Sequence, residues 1–118
     1  MNIQRTNFSL QNEFITMFKG DTLSFGVEVY DETGNPMEVS DMRFNCEEND
    51  TNSTFAFSKT TADGISAEET GKYVIRVAPE DTVNMEAGKY YYYLDIELNS
   101  DRFTILSGTL EILPKKVN

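Results

Sequence analysis

Residues 89–99 alternate without a break. Tyr90, Tyr92, Leu94, Ile96 and Leu98 fall on one side of an extended backbone, and Tyr91, Tyr93, Asp95 and Glu97 on the other. Side chains of a strand point to opposite faces in turn, so this period of two predicts a long strand with one buried and one solvated face. Such a strand needs neighbours, and the same pattern recurs along the chain. Leu23, Phe25, Val27 and Val29 alternate with Thr22, Ser24, Glu28 and Tyr30, a strand entered through Gly20-Asp21. Asp31-Glu32-Thr33-Gly34-Asn35-Pro36 then reads as a turn, because Gly34 suits a positive φ and Pro36 cannot join a central ladder.

Further strands are predicted at residues 13–18, at Met42, Phe44 and Cys46, at Phe55 and Phe57, and at Tyr73, Ile75 and Val77. Residues 102–113 are expected to pair back on the long strand through the turn Asn99-Ser100-Asp101. Their apolar phase slips from the odd positions Phe103 and Ile105 to the even Leu110 and Ile112, which predicts a β-bulge at Ser107-Gly108. One helical signal interrupts the strands. Pro79 suits a first helical position, Glu80 and Asp81 complement the positive end, and Gly88 stops the run, giving a short helical turn near residues 79–85.

Six to eight short strands with turns between them predict an all-β fold, an antiparallel β-sandwich of immunoglobulin-like kind without the antibody Cys–Trp–Cys signature. A small barrel is the alternative. A chain of 118 residues is expected to be one domain. Residues 1–12 are polar and expected as a flexible N-terminal arm, residues 13–114 as the sandwich, and residues 115–118 as a C-terminal tail.

Composition then removes function classes. There are 10 Lys+Arg against 20 Asp+Glu, a formal net charge of −10. Nucleic-acid affinity and docking on anionic membranes both rest on clustered basic residues, so neither is expected. Histidine is absent, which excludes a Ser-His-Asp or Cys-His nucleophile, His-ligated zinc and a histidine proton shuttle. Cys46 is the lone cysteine, in phase with Phe44, and reads as a small buried apolar residue; Glu47 and Glu48 beside it are the opposite of a reactive thiol's cationic setting. The glycines match neither a P-loop nor a dinucleotide fingerprint, and no cofactor is implied. No apolar run approaches the roughly 20 residues of a membrane span, and the first residues lack a signal peptide's basic and apolar regions. The expectation is a protein made in the bacterial cytoplasm, in which the sequons at Asn7, Asn49 and Asn52 are chance matches.

Three groups of residues are candidates for function. Glu47, Glu48, Asn49, Asp50, Thr51, Asn52 and Ser53 crowd oxygen ligands into one loop, as Ca²⁺ requires, but without EF-hand spacing, so a solvated hairpin loop is the simpler reading. Asp95 and Glu97 share a strand face at about the 5–10 Å separation of glycosidase carboxylates, with no visible source for the pKa difference that chemistry needs. The run Tyr90-Tyr91-Tyr92-Tyr93 places two tyrosines on each face. With Tyr90 and Tyr92 continuing the core line, Tyr91 and Tyr93 are outward, where tyrosine packs across strands, contacts proteins or stacks on sugars. Those two are the protein-contact candidates, and the loop residues a weaker second set; no residue is a catalytic or metal-ligating candidate.

Taken together, residues 20–114 resemble a known family. Gly20-Asp21-Thr22-Leu23-Ser24-Phe25 followed by Asp31-Glu32-Thr33-Gly34-Asn35-Pro36 resembles the opening of small β-sandwich modules in tailed-bacteriophage structural proteins. Val77-Ala78-Pro79-Glu80-Asp81-Thr82, then Ala87-Gly88-Lys89-Tyr90-Tyr91-Tyr92-Tyr93-Leu94-Asp95-Ile96, is similar to their short helix and long strand. Leu106-Ser107-Gly108-Thr109-Leu110-Glu111-Ile112-Leu113-Pro114 is similar to their closing strand, and the nearest family is the N-terminal domain of the phage baseplate upper protein. The resemblance implies a non-enzymatic virion or tail part, structural or adaptor, whose partners are other virion or tail proteins or further copies of itself. In such proteins further domains follow the module, whereas this chain ends four residues after Pro114, so a stand-alone version is the expectation. The alternative is a glycan-binding β-sandwich module. An acidic mimic of nucleic acid ranks last, since it needs acids clustered on one face and these are spread along the chain.

Overall fold

The computed structural model describes residues 2–5, 14–48 and 55–114, the first of these as backbone. In chain order they form β1 (Asn2–Arg5), β2 (Phe14–Phe18), β3 (Leu23–Tyr30), β4 (Asp41–Glu47), β5 (Phe55–Thr60), β6 (Ile65–Glu69), β7 (Lys72–Val77), α1 (Pro79–Thr82), β8 (Gly88–Leu98) and β9 (Asp101–Leu113). A four-stranded sheet, ordered β1-β3-β7-β6, faces a five-stranded sheet, ordered β2-β9-β8-β4-β5. The architecture is a β-sandwich with open edges rather than a closed barrel.

Alternation built this core as the sequence predicts. Phe25, Val27 and Val29 of β3 and Tyr73, Ile75 and Val77 of β7 turn inward from one sheet, and Met42, Phe44, Cys46, Tyr92, Leu94 and Ile96 from the other. Phe44 lies at the centre. Phe25 meets its ring edge-on from the opposite sheet at 5.5 Å between centroids, while Tyr92 stacks on it at 5.6 Å and Phe57 tilts against it at 6.2 Å.

Four expectations change. Residues 2–5, expected within a flexible arm, pair antiparallel with β3 as an edge strand; the rest of that arm and the tail at 115–118 lie outside the described residues. β2 runs parallel to β9, whereas the other strand pairs are antiparallel. The bulge sits at Ile105, where Leu94 pairs with Leu106 and Asp95 with Thr104, rather than at Ser107-Gly108. Glycine is not needed there, because the extra residue of a bulge need not take a positive φ. The sequence also gives no sign of β6, an edge strand with one buried residue in five, Ile65, and hence no alternation.

The helical turn expected near residues 79–85 narrows to the single turn of α1, which closes one end of the sandwich. The Asp81 carboxylate accepts the Ala78 backbone N–H at 2.7 Å and receives the buried Lys59 ammonium at 2.9 Å. Buried Thr82 accepts the Gly20 N–H at 2.9 Å through Oγ1, which ties α1 to the turn between β2 and β3.

Two stability predictions follow from this geometry. Asp81→Ala leaves the buried Lys59 ammonium with the exposed Asp63 carboxylate at 3.6 Å and loses the cap, and is expected to cost about 3 kcal/mol in urea denaturation, the low end for a broken buried pair. Lys59→Met combined with Asp81→Ala removes both charges and is expected to recover a large part of that loss; equal losses in the two proteins would refute the charge argument. The β8–β9 hairpin turns on Asn99 and Ser100, both at positive φ (51° and 73°), the conformation of a type I′ turn. Asn tolerates it and Ser does not, so Ser100→Gly is expected to raise stability by about 1 kcal/mol, read as a higher urea midpoint.

Candidate functional site

The outer face of the five-stranded sheet is set by the core behind it. Tyr92, Leu94 and Ile96 are fully buried and Tyr90 nearly so, which turns Lys89, Tyr91, Tyr93, Asp95 and Glu97 outward. The phase read from the alternation is thus the phase of the structure. Register then lines up a row across all five strands: Phe14 on β2, Thr109 on β9, Tyr91 on β8, Glu47 on β4 and Phe55 on β5. The aromatic members are open to solvent, Phe14 at 52%, Phe55 at 48% and Tyr91 at 37%. Lys89 reaches across β9 to hold its ammonium 5.8 Å from the Phe14 ring centroid, a cation–π contact.

A register shift places Phe55 in this row. Cys46 pairs with Phe57 but Glu47 pairs with Phe55, so Ala56 is an extra residue and Phe55 turns outward while Phe57 stays in the core. Beyond the row, Tyr93 and Asn45 lie opposite each other, and the face becomes polar. Asp95 accepts the Thr104 hydroxyl at 2.7 Å and the Asn45 amide at 3.5 Å, and Ser58 donates to Asn45 Oδ1 at 2.6 Å. Arg102 bridges Glu97 at 3.3 Å and Asp41 at 3.6 Å, and Arg43 bridges Asp41 at 3.0 Å. Between the two halves lies a shallow concavity of about 320 Å³ lined by Asn45, Glu47, Phe55, Tyr93, Asp95 and Thr104.

The structure therefore brings Tyr91, Tyr93 and Glu47 onto one surface. Glu47 belongs to this sheet face as the last residue of β4, rather than to the loop; Glu48 is exposed just beyond it, and Asn49, Asp50 and Asn52 lie outside the described residues. Asp95 and Glu97 share the face, each engaged by a neighbour across the hairpin. Sequence reasoning missed Phe14 and Phe55 as surface residues. Phe14 stands next to Ile15 in a strand that is apolar on both faces, so alternation does not choose its side, and Phe55 shares the parity of Phe57 until the bulge at Ala56 turns it outward. Among the described residues, no group of three or more Cys, Asp or Glu side chains is placed to hold a metal ion, and no helix is long and apolar enough to cross a membrane.

Neither a protein-family profile nor a curated sequence matches the chain. Solved structures resemble it in fold. The endo-β-1,4-mannanase from Thermotoga petrophila superposes with a TM-score of 0.60 at 10% identity, over 96% of this chain and 20% of that one. The Lin-41 filamin domain gives 0.54 at 15% identity, over 94% of this chain and 91% of that one. This chain is an immunoglobulin-like β-sandwich. A family 123 glycoside hydrolase from Clostridium perfringens gives 0.52 at 11% identity, over 92% of this chain and 24% of that one. The sandwich thus spans about a fifth to a quarter of the two enzymes, and at these identities the likeness is one of fold.

Behind the outer face, burial pushes the Cys46 thiol up to about 12, with the Glu47 charge adding to the effect. The thiolate is the reacting species, so the folded immunoglobulin-like domain is expected to leave Cys46 unmodified by iodoacetamide at pH 8 and to react fully in urea. Rapid alkylation of the native protein, read by intact mass, would contradict this placement.

Proposed function

We propose that this chain is a non-enzymatic structural or adaptor part of a tailed-phage particle, of baseplate or tail type, acting through protein–protein contacts. It is made in the bacterial cytoplasm and incorporated into the virion, and its partners are other virion or tail proteins. The observation that carries this reading is the row of Phe14, Tyr91 and Phe55 across one sheet face, each more than a third exposed. Large aromatic side chains give much contact area for little lost conformational freedom, and they concentrate where proteins meet. The resemblance of residues 20–114 to phage β-sandwich modules supplies the class of assembly.

The test is made on phage particles banded from the source strain after induction. The protein is expected to co-purify at a fixed copy number per particle. Tyr91→Ser combined with Phe55→Ser, folded by circular dichroism, is expected to lower incorporation at least about tenfold, as loss of interface anchors does. Particles free of the protein would overturn the reading. A glycan-binding module is the second reading, and the concavity favours it, since Tyr93 and Phe55 flank the Asp95 carboxylate and the Asn45 amide there. Sugar binding on a glycan array that Tyr93→Ala abolishes, with no association with particles, would put that reading in its place.

A further inference from the structure

A sheet edge accepts another strand unless something prevents it, and native sheets prevent it with charge, proline, bulges or inward-pointing charged side chains. Among the described residues, the edge strands of this sandwich are β1 and β6 on one sheet and β2 and β5 on the other. Three of them carry such a device. β1 ends in Arg5, and β6 holds Glu68 and Glu69 and shifts register between Ala67 and Glu69. β5 turns Lys59 inward to Asp81 and is offset by the shift at Cys46/Glu47. β2 differs. Phe14-Ile15-Thr16-Met17-Phe18 has no charge, no proline and no glycine, and it pairs with β9 through all five residues in unbroken register.

The strand's own sequence names its occupant. A two-fold contact requires a surface that complements itself. Antiparallel pairing of β2 with β2 of a second copy, centred on Thr16, sets Thr16 against Thr16, Ile15 against Met17 and Phe14 against Phe18. These are Thr–Thr, aliphatic and aromatic cross-strand pairs, all of the stabilising kind. The faces agree as well: Ile15 and Met17 are buried in the core of each copy, and Phe14, Thr16 and Phe18 are exposed. A slip of one residue would set core-facing against solvent-facing side chains, and a slip of two would keep the faces but pair only three of the five residues, so the register centred on Thr16 is favoured.

We infer that the chain forms a two-fold dimer through β2, in which two five-stranded sheets become one continuous sheet and the aromatic row of each copy meets Phe18 of the other. The inference holds whether or not the virion reading does. A five-residue seam is about 17 Å long and makes a small interface, so the dimer is concentration-dependent rather than permanent.

The test is sedimentation equilibrium of the full chain from about 1 μM to about 1 mM, the range in which a small interface reports itself. The wild type is expected to move from monomer to dimer mass. Thr16→Lys and Thr16→Glu, both at an exposed position, each bring like charges together at the two-fold axis and are expected to weaken dimerisation at least about tenfold. An equimolar mixture of the two variants sets Lys against Glu and is expected to restore the dimer. A wild type that stays monomeric throughout, a dimer that either variant leaves intact, or a mixture that stays monomeric would each overturn the proposal.

Discussion

Phe44 is the contact on which the two sheets depend. Its ring takes Phe25 from the opposite sheet and Tyr92 and Phe57 from its own, so an aromatic cluster around one residue joins the layers within a largely aliphatic core. Burying Phe44 fixes the phase of β4, and through the pairs Phe44 with Leu94 and Cys46 with Tyr92 it fixes the phase of β8. A strand shifted by one residue would exchange its faces entirely. The outward set of Tyr91, Tyr93, Asn45 and Glu47 is therefore a consequence of the core, and a change at Phe44 acts on the candidate site without touching it.

Wherever the chain passes from one sheet to the other, its backbone leaves the ladders and needs other hydrogen-bond partners. Side chains supply two of these. Between β2 and β3 the Gly20 N–H is accepted by Thr82, and between β3 and β4 the Val39 N–H is accepted by the Tyr73 hydroxyl oxygen at 2.9 Å. The passage from β5 to β6 follows Lys59, whose ammonium reaches Asp81 in α1 and Asp63 at 3.6 Å. The short α1 is thus a knot of polar contacts at one end of an otherwise apolar interior, which explains why a single helical turn persists there.

What the sequence disclosed is what period two governs. Alternation placed β3, β4, β7 and β8 and put Tyr90 and Tyr92 inside, because each residue's face depends only on its parity within an unbroken strand. It failed where parity breaks or carries no signal. The extra Ala56 resets the phase with no mark in the residue types, and the bulge at Ile105 showed as a slip of apolar phase but not in its position, since it needs no glycine. β6 has one inward residue, too few to alternate, and β1 is polar and joins the sheet by backbone pairing. For the site, Tyr91 and Tyr93 were legible from parity, whereas Phe14 was not, because β2 carries apolar residues on both faces and parity cannot choose between them, and Phe55 took its exposure from a bulge, a property of the assembled sheet.

The same sheet that carries the aromatic row also decides where the charge is absent. A net charge of −10 keeps copies of this chain apart in general, and it would do the same to any acidic partner. That repulsion is screened beyond about 8 Å at physiological salt, so it governs contact through the charges nearest the approaching surface rather than through the total. The polar half of the outer face is already committed to its own ion pairs among Arg43, Asp41, Arg102 and Glu97. β2 has no charge of its own; beside it on the outer face lie Glu111, opposite Thr16, and Lys89, whose ammonium reaches the Phe14 ring. An approaching strand therefore meets no charge on β2 itself, and the opposite charges of Glu111 and Lys89 beside it offset each other.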